Sequence, residues 1–168
     1  MKATQPPSPT FHPGRHLEIL DAGQLHDPYQ EVEKFSEPAV CSDCGAVFHD
    51  GRWQWITPSA HANQTRCAAC RRIQENQPAG YVTVEGRFAQ DHREEMLNLV
   101  RNLETREKAE HPLKRIMAIE EQGDKLEITT TDIHLARGIG EALQHAYKGD
   151  LDFHYNKDEY LVRVHWRR

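Results

Sequence analysis

The stretch "CSDCGAVFHDGRWQWITPSAHANQTRCAACRR", residues 41–72, contains every cysteine of the chain, arranged as two C-x-x-C pairs. Residues 45–66 separate the two pairs, whose members are Cys41, Cys44, Cys67 and Cys70. This spacing is typical of a zinc ribbon or knuckle, in which each pair turns its backbone so that both thiolates face one ion. Gly45 follows the first pair, where a knuckle needs a permissive backbone. The spacing therefore predicts a Zn²⁺ site with these four cysteines as ligands.

Other uses of the four sulfurs fit the pattern less well. Disulfides suit secreted chains, iron–sulfur clusters have other cysteine spacings, and a thioredoxin-like site needs only one pair. Four thiolates complete a tetrahedral shell, so no position remains for a reactive water. His49 and His61 lie inside the stretch and could replace a ligand, but we expect them to be ordinary loop or strand histidines. The metal is therefore expected to be structural.

A turn signal lies between the cysteine pairs. Asp50-Gly51 is a strong signal for a tight β-hairpin, with Phe48 before it and Trp53 and Trp55 after it. The cysteine pairs are thus expected to bracket a hairpin that presents aromatic and basic side chains.

Composition limits the class of protein. The chain has 168 residues, of which 38% are hydrophobic and 28% charged, which suits one domain or a small module beside a compact one. No apolar run approaches the ~20 residues of a membrane span, and the start lacks the apolar region of a secretion signal. We therefore expect a cytoplasmic protein. The net charge of −5 excludes a strongly basic nucleic-acid footprint overall, so any such binding would use local patches.

Three segments are expected along the chain. Residues 1–40 carry many prolines without a sustained period, which predicts a flexible or extended arm that could hold a protein partner. Residues 41–78 form the zinc-binding module. Residues 79–168 form an α/β sandwich domain.

The pattern from Tyr81 onward predicts strand, helix, strand, strand, helix, strand, strand. The first six elements match a ferredoxin-like split β-α-β arrangement, with the last strand added at the edge. Four-residue loops are expected in both hairpins. They place Ile119 opposite Leu126 in the first hairpin and Tyr155 opposite Tyr160 in the second. The fold class is therefore α+β.

Three stretches carry a resemblance to a known family: "CSDCG", "CAACRR" and the later "ITTTDIHLARGIGEAL", residues 128–143. Together they resemble the ribosome-export adaptor family (Nmd-three) of archaea and eukaryotes and small bacterial proteins that share its zinc-containing front half. The resemblance implies association with the large ribosomal subunit or another RNA-rich assembly.

Arginine and aromatic side chains together can hold phosphates and stack on bases. The candidate RNA-binding residues are Arg52, Trp53, Trp55, Arg71, Arg72, Arg163 and Arg167. The same tryptophans could instead cover the metal site, and the terminal arginines could simply be solvated. Two function classes therefore stay open: binding to the ribosome or a structured RNA, and a protein–protein adaptor without RNA.

Catalytic motifs are absent from the sequence. It has no phosphate-binding loop, no G-x-S-x-G, no H-E-x-x-H and no cysteine left over as a nucleophile. The chain is therefore expected not to be an enzyme.

Overall fold

The computed structural model describes residues 26–31, 36–156 and 158–168, which form two sheets and five helices. The α+β class expected from the sequence is thus confirmed. Among these residues, no helix combines the length and the apolar character that crossing a bilayer would need.

The small sheet builds the cysteine module. Its strand order is β3-β2-β1-β4, with β1 antiparallel to β2 and parallel to β4. The elements are β1 (Ala39–Cys41), β2 (Val47–His49), β3 (Arg52–Gln54), β4 (Asn63–Thr65) and a helix, α2 (Ala68–Glu75), which follows them.

The predicted hairpin around Asp50-Gly51 is confirmed. Phe48 pairs with Trp53 and His49 pairs with Arg52, so the two strands are joined by a two-residue loop. Both loop residues have positive φ, 51° and 75°, which a tight hairpin turn requires and which Asp-Gly tolerates. The carboxylate of Glu37 accepts hydrogen bonds from both loop amides, at 2.8 and 3.2 Å.

The predicted arm needs a correction at its end. Residues 1–25 and 32–35 of the segment 1–40 lie outside the described residues. Its described part holds a short helix, α1 (Pro28–Glu31), and the first residues of β1. Ala39 and Val40 are buried and pair with both β2 and β4. The cysteine module therefore begins before Cys41.

The large sheet forms the second part of the chain, and its elements follow the predicted order with one short helix, Arg87–Asp91, added after the first strand. They are β5 (Gly80–Glu85), α3 (Arg87–Asp91), α4 (Arg93–Glu110), β6 (Ile116–Gln122), β7 (Lys125–Thr130), α5 (Ile133–Tyr147), β8 (Asp150–Tyr155) and β9 (Val162–Arg167). The strand order is β6-β7-β5-β9-β8.

The predicted extra edge strand is wrong, because β9 lies between β5 and β8 and is parallel to β5. In the ferredoxin-like pattern the strand after the second helix would lie beside β5, and here β9 takes that place, so the ferredoxin-like arrangement is not confirmed. The different burial of the two strands explains why β9, and not β8, lies beside β5. Val162, Val164 and Trp166 of β9 are at most 1% exposed, whereas β8 exposes Asp150 and Asp152, and charged residues suit an edge.

The first hairpin of this sheet has a tighter turn than predicted. Gln122 pairs with Lys125, which leaves a two-residue loop, and Ile119 pairs with Ile128 instead of Leu126. Gly123 has a φ of 67°, a conformation that glycine adopts without strain and that a two-residue turn uses. The shift of two residues keeps Ile119 on its predicted face, whereas a bulge between Ile116 and Ala118 changes the register at the start of β6.

The last hairpin is also shifted by two residues, towards a longer loop. Tyr155 pairs with Val162 rather than facing Tyr160, and Leu151 pairs with Trp166. The Trp166 side chain is fully buried in this register, which the predicted pairing did not provide for. Asp152 lies opposite His165, and Arg163 lies opposite His154.

One apolar core holds the large sheet and its helices together. α5 packs on β5, β8 and β9, and α4 packs against α5. Asp132 caps α5, accepting a hydrogen bond from the amide of Leu135 at 2.8 Å. Gly140 lies so close to the sheet that an added Cβ would be 2.6 Å from Val164. The linker between α4 and β6, residues 111–115, lies against the cysteine module, where Leu113 and Arg115 contact the cysteine cluster.

Candidate metal centre

The four cysteines occupy the ends of three short elements. Cys41 is the last residue of β1, Cys44 lies in the turn that follows it, Cys67 is the N-cap of α2, and Cys70 is in the first turn of that helix. Gly45 has a φ of 77°, and its amide bonds the carbonyl of Cys41 at 2.9 Å. This positive φ reverses the chain into β2, as the sequence predicted.

The sulfurs are close enough to share one ion. All four Sγ atoms lie within 4.8 Å of one another, and those of Cys44 and Cys67 are 3.8 Å apart. A tetrahedron with Zn–S bonds of about 2.3 Å has edges of about 3.8 Å, so this separation is that of two ligands on one zinc ion. The cysteines form no disulfide. The predicted grouping of all four residues is confirmed, and they could hold a metal ion.

Backbone amides point at two of the sulfurs. The amide of Cys67 donates to Cys41 at 3.3 Å, and the amide of Cys70 donates to Cys67 at 3.4 Å. Burial acts to raise the pKa of Cys41, but amide hydrogen bonds outweigh it and lower that pKa to about 7. At Cys67 the effect of burial is larger than that of the amide hydrogen bond, so the pKa of this thiol is raised. In the absence of a metal ion, the thiol of Cys67 thus favours its neutral form.

A buried arginine supplies positive charge at this cluster. Nη1 of Arg115 donates to Cys70 Sγ at 3.2 Å, and Nη2 reaches Cys44 Sγ at 3.0 Å and Cys67 Sγ at 3.6 Å. Arg115 is only 7% exposed. Burial alone would lower its pKa, but the hydrogen bonds to the sulfurs outweigh it and hold the pKa above its ordinary value. Arg115 is therefore charged and compensates the negative charge of the thiolates.

Three hydrogen bonds fix the position of Arg115. Its Nε donates to the carbonyl of Pro112 at 2.8 Å, and its amide donates to Oγ1 of Thr131 at 3.0 Å. The amide of Thr131 in turn donates to the carbonyl of Arg115 at 2.9 Å. Leu113, in the same linker, packs against the cysteine cluster. The α/β domain thus contributes one side of the metal centre.

Sequence reasoning missed Arg115. The residue lies 45 positions after Cys70, and only the folded linker brings the two together. "HPLKR", residues 111–115, joins a helix to a strand, and a buried arginine there has no sequence signature.

The two histidines of the module are not part of the cysteine cluster. His49 lies instead in an exposed group with Glu37 and Asp50, and its ring is 3.6 Å from the carboxylate of Asp50. His61 is exposed. Both positions agree with the expectation that neither histidine replaces a cysteine ligand.

The structure corrects the role expected of Arg72. Its side chain is 4% exposed and forms an ion pair of 2.6 Å with Asp27, and it also donates to the carbonyl of Gln77 at 3.0 Å. The guanidinium lies 4.2 Å from the ring centre of Tyr29 and 5.6 Å from that of Tyr160. A guanidinium enclosed in this way cannot reach an RNA phosphate, so Arg72 instead holds residues 26–31 on the module.

The other predicted RNA-binding residues of the module have different exposures. Arg52 is exposed, Trp53 is half-buried against the cysteine cluster, and Arg71 is half-buried with its guanidinium 5.4 Å from the ring centre of Tyr29. Trp55 is 41% exposed, and its indole donates to the carbonyl of Lys108 at 2.7 Å. Trp55 therefore links the hairpin to α4.

The two predicted residues of the C-terminal strand lie on the sheet face opposite the buried one. Arg163 and Arg167 are exposed and alternate with buried residues of β9. Arg163 lies over the ring of Tyr81 at 4.6 Å, and Arg167 is 3.6 Å from the carboxylate of Asp150. Both guanidinium groups thus have a partner within the domain.

Comparisons of the chain with protein-family models, with curated proteins and with solved structures found no match.

Proposed function

We propose that this chain binds one Zn²⁺ through Cys41, Cys44, Cys67 and Cys70 in a closed, non-catalytic site. The observation that carries the proposal is the grouping of four sulfurs within 4.8 Å of one another. Four thiolates favour zinc or iron over hard cations, and they leave no position on zinc for a substrate or water. The two amides and Arg115 that donate to the sulfurs support an ion with four anionic ligands.

The ion supplies stability that the module lacks. The buried cluster at the centre of the module consists of three of the cysteines and Ala69, with Trp53 and Leu113 among the side chains packed against it. The other buried apolar side chains in the described part of the module belong to alanines and valines, and so small a core does not hold a module together alone. Structural zinc contributes about 10–16 kcal/mol of apparent binding free energy. A reducing compartment such as the cytoplasm would keep these thiols available to the metal.

The zinc-held module serves, in this proposal, to bind the ribosome or another structured RNA. Two observations support it: Arg52 is exposed and makes no ion pair with another described residue, and its neighbour on the hairpin is an aromatic side chain. Cations beside aromatic rings suit phosphates and bases. Because Arg72 is buried, the proposed RNA-binding surface of the module consists of the hairpin and Arg71.

A protein–protein adaptor is the second candidate. Three large apolar side chains on the module are exposed by 41–44%: Trp55, Ile56 and Ile73. Exposed apolar side chains of this size suit a protein partner better than a polyanion. Contacts of this kind would persist at high salt, whereas phosphate contacts weaken as counterions are released.

Sucrose-gradient sedimentation of a cell lysate at low and high salt tests these proposals. RNA association predicts wild-type protein in the ribosomal fractions at low salt and at the top at high salt. Arg52→Glu with Arg71→Glu should abolish the association while zinc content stays at one ion per chain. Cys44→Ser should lose both the association with the ribosomal fractions and the zinc ion. Wild-type protein that stays at the top of the gradient at low salt would refute RNA association and favour the adaptor.

A further inference from the structure

A cleft of about 310 Å³ lies where the cysteine module meets the α/β domain. The hairpin β2–β3 forms one wall and the linker 111–114 forms another. Its volume is at the lower end of the range for pockets that hold small ligands, about 300–1,000 Å³. This cleft is separate from the metal centre, although residues of the same hairpin and the same linker take part in both.

Aromatic rings line the hairpin side of the cleft. Phe48 and Trp53 contribute rings whose centres are 5.5 Å apart at an angle of 56°, and Tyr29 of α1 lies at a third side. All three side chains are half-buried, so their hydrophobic surface is only partly covered. Half-buried rings beside a cleft provide surfaces on which a flat heterocycle can stack.

Basic groups surround the same opening. Arg52 and His111 are exposed at it from opposite walls, and Arg52 has no ion-pair partner among the described residues. Lys114 also lines the cleft, but its ammonium is paired with Glu107 at 2.7 Å. Arg52 is therefore the guanidinium available to an incoming anion, and its planar donors match a phosphate.

An acceptor lies among the lining residues as well. Asp132 is 9% exposed. Its carboxylate accepts from the amide of Leu135 and the hydroxyl of Tyr160, and its Oδ2 lies 3.5 Å from Nδ1 of His134. A carboxylate has about four acceptor sites, so one remains for a hydroxyl or amino group of a ligand. Aromatic surface, a free guanidinium and a carboxylate together match a base, a phosphate and the donor groups of a nucleotide.

We propose that this cleft binds a single nucleotide, with its base against Phe48 and Trp53 and its phosphate against Arg52. The inference deepens the proposed RNA association, because it names the surface and the ligand chemistry. The nucleotide can come from an unpaired segment of RNA or be free in solution. A site of this size takes one unit, so base pairing must be open at the bound position.

Two probes distinguish these sources: adenosine 5′-monophosphate and a short single-stranded RNA of mixed sequence. Binding is measured by titration of the zinc-loaded full chain, and the indole N–H signals of the three tryptophans are followed by NMR with isotope-labelled protein. We expect the Trp53 signal to shift, and the signal of Trp166, which is 0% exposed and bonds the carbonyl of Lys148, to stay.

Arg52→Ala is the test variant, and Arg101→Ala is its matched control. Both remove one exposed arginine, but Arg101 lies on α4 and does not line the cleft. Arg52→Ala should weaken binding about tenfold or more, since it deletes a charge-assisted contact, and should reduce the salt slope for RNA by about 0.7. Arg101→Ala should change affinity less than about twofold. Equal zinc content in both variants shows that the module is intact.

Each outcome decides between the proposals. Binding of both probes with loss in Arg52→Ala supports an RNA nucleotide in the cleft. Binding of the monophosphate alone supports the cleft and overturns RNA association. RNA binding without a Trp53 shift, and equal in all three proteins, overturns the cleft and leaves RNA association standing. Binding of neither probe overturns the cleft and favours the adaptor.

Discussion

Replacing Arg115 by methionine tests the link between the α/β domain and the metal centre. The substitution removes three N–H···S hydrogen bonds, of 3.0, 3.2 and 3.6 Å, and the positive charge beside the thiolates. Methionine fills similar space with a flexible apolar chain, so the change leaves no large cavity. We expect weaker zinc binding and faster zinc release.

The expected loss of zinc affinity in Arg115→Met depends on two opposing effects. Hydrogen bonds to charged groups contribute about 1.5–3 kcal/mol each, so three of them would suggest a loss of more than 4 kcal/mol. Burying the guanidinium, which is 7% exposed, has a desolvation cost that the methionine variant no longer bears. The net loss should therefore resemble that of other groups that hydrogen-bond metal ligands, about 10- to 100-fold in affinity, or about 1.4–2.7 kcal/mol.

Competition with a chromophoric zinc chelator measures both the affinity and the rate of release. Lys114→Met is the matched control, because it removes a neighbouring positive charge that pairs with Glu107 and not with a sulfur. Arg115→Lys should fall between the methionine variant and wild type, since one ammonium cannot span three sulfurs as the guanidinium does. Wild-type zinc affinity in Arg115→Met, or an equal loss of affinity in Lys114→Met, would show that the contacts of Arg115 with the sulfurs do not stabilise bound zinc.

Three further predictions concern the α/β domain. In urea unfolding, Gly138→Ala should stabilise the chain by up to about 1 kcal/mol, because α5 gains a better helix former and the nearest atom to the added Cβ is 3.9 Å away. Gly140→Ala should destabilise the chain by about 1–3 kcal/mol, because its added Cβ would be 2.6 Å from the nearest atom. Equal effects of the two substitutions would contradict this prediction. Asp132→Ala should lower stability by about 0.5–2 kcal/mol through loss of the helix cap. Burial acts to raise the pKa of Asp132, but His134 and the Leu135 amide outweigh it and lower that pKa. The stabilisation by the Asp132 carboxylate is therefore complete above its unfolded pKa of about 3.9 and disappears as pH falls through the folded pKa. A difference in unfolding free energy between wild type and Asp132→Ala that grows on acidification would contradict this pH dependence. Residues 79–168 alone should melt cooperatively by circular dichroism, but at a lower temperature than in the whole zinc-loaded chain because Arg115 loses its sulfur partners; a non-cooperative melt would show that the two parts share one folding unit.

Local patterns allowed much of the fold and of the cysteine cluster to be predicted. Two C-x-x-C pairs and Gly45 specify tight turns at short range, and the structure brings all four sulfurs together. Asp50-Gly51 specifies its hairpin because both residues tolerate positive φ. Alternation in the strands likewise depends on neighbours in sequence.

Features that depend on distant packing could not be predicted. The burial of Trp166 sets the register of the last hairpin and places β9 inside the sheet, and local alternation does not reveal the depth of one side chain. Arg72 looks like a surface arginine beside the second cysteine pair until Asp27, 45 residues earlier, pairs with it. Arg115 is the same kind of case, because its charge is explained only by sulfurs from another part of the chain.

Native mass spectrometry of the purified chain, with elemental analysis of the same sample, tests whether the four cysteines hold a zinc ion. We expect one zinc ion per chain and no other metal, with the four thiols protected from alkylation until a chelator removes the ion. Cys44→Ser should carry little or no zinc. Iron in place of zinc, or a folded chain without metal whose four thiols all react at once, would contradict the proposed zinc site.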